Sequence, residues 1–146
     1  MIPPTLPHVY EFSDGMARVW RDGKFGYLDK QGKVTIPPTL ESADDFSEGL
    51  AVTRVEGKYG YLDKTGKLAI PAQFDRALKF SEGLAAAQRG KLYGYIDQKG
   101  AWVIEPRFTW ARPFWNGLAW AGEPGKAGSL MDRTGKAVWS PPGMKP

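Results

Sequence analysis

The sequence predicts an all-β fold, built as a tandem array of four ~34-residue repeats with about three short strands each. Three observations carry that expectation. Gly26, Gly60, Gly94 and Gly128 recur at a step of 34, and Phe12, Phe46, Phe80 and Phe114 keep the same step. So do Gly15, Gly49, Gly83 and Gly117, and Ala17, Ala51, Ala85 and Ala119. The words "KFGYLDKQGK" (24–33), "KYGYLDKTGK" (58–67) and "LYGYIDQKGA" (92–101) are near copies, followed by an altered "KAGSLMDRTGK" (126–136). Finally, Gly 18 and Pro 12 in 146 residues demand frequent turns. The units read as 2–35, 36–69, 70–103 and 104–138, with a C-terminal remnant 139–146, together one domain over 1–146.

Within a unit, "GLAVTRVEG" (49–57) alternates and is rich in β-branched residues, which suits a half-buried strand. "KYGYLD" (58–63) is aromatic and again strand-like, with Tyr59 and Tyr61 on one face. Gly60, on the opposite face, lets another backbone or an aromatic ring approach closely. In "DKTG", Asp63 first and Gly66 fourth mark a type I turn whose glycine takes the left-handed conformation and makes a bulged hairpin. "KLAIP" (67–71) returns, and its proline is expected to stop the strand. "AQFDRALKFSEG" is a connector, since the matching "RFTWARPFWNG" holds Pro113, which disfavours a helix. Unit four carries an extra residue near Met131, so Asp132 and Gly135 fall 35 after Asp97 and Gly100.

A single unit is too small to bury its aromatic face, so neighbours must complete the core. An open solenoid-like stack is expected. A closed, small propeller-like ring is the alternative, because "IPPTL" (2–6) and "AVWSPP" (137–142) could occupy equivalent positions at the two ends. The proline-rich tails are placed to blunt exposed end strands.

The succession Phe-Ser-Glu-Gly-Leu-Ala, aromatic-Gly-aromatic-Leu-Asp-Lys-x-Gly-Lys and Ile-Pro resembles the bacterial WG-repeat family over essentially the whole chain. The family's first aromatic is most often Trp; here Phe25, Tyr59 and Tyr93 stand there. Unit four departs, with Ala127 and Ser129 where the aromatics belong, which suggests a terminal cap. The resemblance implies a β-repeat interaction module and no reaction.

Composition narrows the function classes. With no cysteine, disulfides, thiolate metal sites and cysteine nucleophiles are excluded. His8 is the single histidine and has no partner for a metal site or a triad, so no metal and no cofactor are expected. Asp29, Asp63, Asp97 and Asp132 are accounted for by turns, and Asp14, Glu48 and Glu82 by strand starts, so no catalytic residue is assigned and the protein is expected not to be an enzyme. The net charge of +4 is mild and scattered, which argues against nucleic acid. The N-terminus has neither a basic start nor a hydrophobic stretch, so no membrane segment and a cytoplasmic location are expected.

Function is then sought where the copies diverge. Five of the six tryptophans lie in 102–139, and Arg107 and Arg112 fall among them. Trp102, Arg107, Trp110, Arg112, Trp115, Trp120 and Trp139 form the candidate partner-binding set, because Trp and Arg dominate binding hot spots. The same tryptophans could instead fill a looser last unit. The expected partner is a protein, with an immunity (antitoxin-type) role occluding a toxin as the specific reading. The alternative is an aromatic-lined binder of choline-like or glycan ligands, as in cell-wall-binding repeats.

Overall fold

Alternating side chains and short turns fold the start of the chain into an antiparallel meander of β1 (His8–Ser13), β2 (Met16–Arg21), β3 (Lys24–Asp29) and β4 (Val34–Leu40). The computed structural model describes residues 8–141, so "IPPTL" (2–6) and most of the C-terminal remnant lie outside the described residues. A second sheet holds β5 (Leu50–Val55), β6 (Lys58–Asp63) and β7 (Leu68–Phe74). The third holds β8 (Arg76–Ala77), β9 (Ala85–Arg89), β10 (Leu92–Ile96) and β11 (Trp102–Phe108). The fourth holds β12 (Trp110–Ala111), β13 (Ala119–Gly122), β14 (Ser129–Met131) and β15 (Ala137–Trp139). The described residues contain no helix, and the expected all-β tandem array is what the chain forms. Two compact halves divide after Gln73, each with two consecutive sheets.

Two features differ from the sequence reading. The connector is not wholly irregular, because it carries a short lead-in strand. β8 and β12 pair with β9 and β13, and in the second sheet the isolated bridge Ala43↔Thr53 does the same work. Nor do the prolines stop the return strands. Between Tyr27↔Ile36 and Phe25↔Leu40, β3 advances two residues while β4 advances four, so Pro37 and Pro38 sit in a bulge. Tyr95↔Ile104 and Tyr93↔Phe108 repeat that bulge around Pro106. A proline is tolerated there because the bulged residue makes no ladder bond.

The close approach of the return strand explains the recurring glycine. A Cβ on Gly60 would stand 2.6 Å from the Ile70 carbonyl oxygen and 2.7 Å from the Ala72 nitrogen, and the Ile36 and Ile104 carbonyls crowd Gly26 and Gly94 likewise. In the fourth sheet it is the Trp110 ring that lies against Gly122 and Gly128. Both kinds of close approach expected from the sequence are therefore present.

The turns follow the sequence closely. Asp63 Oδ1 accepts from the backbone N–H groups of Thr65 (2.9 Å) and Lys67 (3.1 Å) and from the Thr65 hydroxyl (2.6 Å). Gly66 N–H donates to the Asp63 carbonyl at 3.1 Å with φ 91°. Asp132 repeats the arrangement with Thr134 and Lys136. The threonine hydroxyl bonds hold both carboxyl groups below the ordinary 3.8. Asp14–Gly15, Glu48–Gly49, Glu82–Gly83 and Asn116–Gly117 all have positive φ at both residues, the type I′ geometry of tight hairpins.

Each compact half has its own core. In the first, Met16, Tyr27, Ile36, Phe46, Ala51 and Leu62 are buried together. In the second, Tyr95, Ile104, Phe108, Phe114, Ala121 and Met131 belong to one buried cluster with Leu84, Ala86 and Ala119. Burying one such phenylalanine contributes about 1.5–3 kcal/mol.

Candidate interaction face

Within each half, the junction between the two sheets is a seat into which the next repeat inserts a phenylalanine. On the first sheet, the fully buried Phe46 ring meets the Tyr27 ring edge-on at 4.7 Å. Around it, Ser13 Oγ donates to the Phe46 carbonyl (2.8 Å) and Tyr27 OH to the Asp44 carbonyl (2.5 Å). The Gly49 N–H donates to the Asp14 carboxylate (2.6 Å), and Arg18 pairs with Asp45 at 2.9 Å. The third sheet repeats the pattern. Tyr95 and Phe114 rings lie 4.9 Å apart, Ser81 Oγ donates to the Phe114 carbonyl (2.7 Å), and Tyr95 OH donates to the Arg112 carbonyl (2.6 Å). Glu82 accepts from the N–H groups of Asn116 (2.6 Å) and Gly117 (2.8 Å). Burial pushes the Tyr27 and Tyr95 hydroxyls well above their ordinary 10.0. The acids at 14 and 82 thus clamp the following repeat as well as starting strands.

The fourth sheet presents the same seat with different residues. Its register fixes the correspondence: Trp120 pairs with Leu130 as Arg18 pairs with Tyr27, and Leu130 with Trp139 as Tyr27 with Ile36. Ser129 faces Ala121 as Gly60 faces Thr53. Leu130 therefore stands at the buried tyrosine position, and Ser129 at the glycine position. The expectation that Ala127 and Ser129 replace the two aromatics, with the extra residue near Met131, is corrected. The extra residue is absorbed by the turn over 123–126, where Lys126 N–H donates to the Glu123 carbonyl (3.1 Å) and Gly125 has φ 74°. A proline and a glycine in that turn accommodate the insertion without disturbing β14.

By the same correspondence, Trp115 replaces Ser13, Leu118 replaces Met16, Trp120 replaces Arg18 and Trp139 replaces Ile36. A seat buttressed elsewhere by a hydroxyl and a tyrosine, and on the first sheet also by an Arg–Asp pair, becomes apolar. It opens as a groove of about 610 Å³, lined by Trp115, Leu118, Trp120, Leu130 and Phe114, with Lys79 and Arg112 as cations. Trp115 is 75% exposed, and Trp120 meets Trp139 edge-on at 5.9 Å, with Trp139 49% exposed.

Of the seven candidate residues, Arg112, Trp115 and Trp120 line the groove, and Trp139 adjoins it through Trp120. The other three stand elsewhere. Trp102 packs on Phe74 at 5.6 Å under Arg89. Arg107 pairs with Glu123 at 3.7 Å and donates to the Gly135 carbonyl, beside a smaller cavity of about 280 Å³. Trp110 covers Gly122 and Gly128. Lys79, Leu118 and Leu130 also line the groove, and nothing in their own sequence surroundings marks them for it. Placing the insertion in the turn would have revealed Leu130 at a tyrosine position. Among the described residues, no group of three or more His, Asp or Glu side chains could hold a metal ion.

A family model described as WG containing repeat matches residues 1–25, 25–59, 59–93 and 93–126. Among proteins with curated descriptions, none matches. Solved structures show a shared fold. The computationally designed Ika8 protein is 14% identical (TM-score 0.57) over 90% of this chain and 48% of its own. BamB from Moraxella catarrhalis is 16% identical (TM-score 0.54) over 90% and 48%. Hsv2p of Kluyveromyces lactis is 11% identical (TM-score 0.52) over 85% and 46%. The chain spans about half the length of these structures. Four-stranded antiparallel meanders in tandem are the blade pattern of propeller-like proteins.

Proposed function

This chain belongs to the family of WG containing repeats, and from that premise we propose that it is a non-catalytic protein-interaction module whose docking face is the tryptophan-bearing side of the fourth sheet. One observation carries the reading: the seat filled by Phe46 and Phe114 on other sheets recurs on the fourth sheet as an apolar groove with Trp115 and Trp120 at its wall. Exposed tryptophan beside arginine is the composition of binding hot spots, where a few anchors hold most of the affinity. The finer form of the proposal is an immunity or antitoxin-type protein that occludes a toxin. A choline-like ligand is disfavoured, because Lys79 and Arg112 line the groove and would repel a cation.

The test compares affinity capture by the wild-type chain and by a Trp115→Ala, Arg112→Ala double variant. The captured protein should bind the variant about 30-fold or more weakly, the loss of one strong hot spot. Undiminished binding rejects the face.

A further inference from the structure

Phe12 is the first repeat's counterpart of Phe46, Phe80 and Phe114. Those three are fully buried, whereas Phe12 is 51% exposed and Val9, on the same strand, is 47% exposed. Among the described residues the array therefore carries an unseated anchor on β1 and an open seat on the fourth sheet. The two surfaces are the halves of one junction that the chain already makes in each of its compact halves.

We propose that the groove of the fourth sheet receives the Phe12 segment of a second copy of this chain, so that the protein associates head to tail. Three observations favour this occupant. The junction geometry is established, since Phe46 and Phe114 sit on Met16/Tyr27/Ile36 and Leu84/Tyr95/Ile104, and Leu118, Leu130 and Trp139 hold those places on the fourth sheet. The chemistry of both sides shifts in the same direction: Val9 replaces Ala43 and Tyr10 replaces Asp44 on the anchor side, while Trp120 replaces Arg18 on the seat side. An apolar junction is what two separate chains need, since surface ion pairs contribute little to association. Glu11, next to Phe12, keeps the acid of Asp45, and with Trp120 in the place of Arg18 its counter-charge falls to Lys79 and Arg112 at the groove. A contact using different surfaces on the two copies is heterologous, and it either closes into a ring or propagates.

The inference rests on the proposed function's reading of the same face, and the experiment separates the two. Sedimentation velocity of the purified chain from about 1 to 100 µM is expected to show species of at least twice 16.2 kDa. Phe12→Ser and Trp120→Glu should each sediment as monomers while keeping the wild-type circular dichroism spectrum. Mixed in equal amounts they should form a 1:1 heterodimer, because one variant retains the seat and the other the anchor. A wild-type chain that stays monomeric overturns the inference, as do variants that fail to complement. If Trp120→Glu abolishes association and Phe12→Ser does not, the face stands as an interaction surface but this occupant falls.

Discussion

Gly60→Ala tests whether the recurring glycine exists to admit the close approach of the return strand. An added Cβ would lie 2.6 Å from the Ile70 oxygen, 2.7 Å from the Ala72 nitrogen and 2.8 Å from the Ala72 Cα. All three are backbone atoms, so no rotamer change relieves the clash. Ordinary contact starts at 3.4 Å, and β7 must therefore retreat by about 0.8 Å, which stretches ladder bonds past the ~3.2 Å limit for good geometry. Overpacking costs about 1–3 kcal/mol and a lost ladder bond about 1 more, so the expected loss is about 2–4 kcal/mol. Gly57→Ala is the control. Gly57 has φ 85° with nothing within 4 Å of its added Cβ, which leaves only the left-handed penalty of about 1–2 kcal/mol. Urea unfolding followed by tryptophan fluorescence measures both variants, with an unchanged m-value indicating a pure stability effect. If Gly60→Ala costs no more than Gly57→Ala, close approach is not what the glycine is for.

Two further outcomes follow from the junctions. Burial raises the hydroxyl pKa of Tyr27, Tyr61 and Tyr95 above 10.0. The folded state therefore holds these protons more tightly than the unfolded chain, and its stability is intact below about pH 10 and declines above it. In an alkaline titration, these three tyrosines should ionise only as the β-sheet signal is lost; full ionisation of all six with the sheets intact contradicts this. Glu82→Ala removes the acceptor for two N–H groups of the fourth repeat, and should lower the urea stability by about 1–2 kcal/mol; a neutral result denies the clamp its role.

What the sequence disclosed was what short-range chemistry decides. The Asp63–Gly66 turn was legible because carboxylate, hydroxyl and left-handed glycine all act within five residues. Gly60 was legible because a strand gives up a packing side chain between two aromatics only where a neighbour must come close. The lead-in strands were not, since Arg76–Ala77 and Trp110–Ala111 span two residues and have no periodicity to detect. The strands continuing through Pro38 and Pro106 were hidden because a bulge depends on the partner strand. The groove was half legible. Trp115, Trp120 and Arg112 stood out by composition, whereas Leu130 was masked by the coincidence that Gly128 keeps the 34-residue step while hydrogen bonding places Ser129 opposite Ala121.

The serine and carboxylate links from one sheet to the following one have a genetic corollary. Since Ser13 grips Phe46 as Ser81 grips Phe114, removing or duplicating one whole module regenerates the same junction at the splice. Unequal recombination between matching stretches such as Gly26–Lys30 and Gly60–Lys64 would thus yield in-frame chains that still fold. Melting temperature in such a length series should climb stepwise with module number, as nearest-neighbour coupling requires.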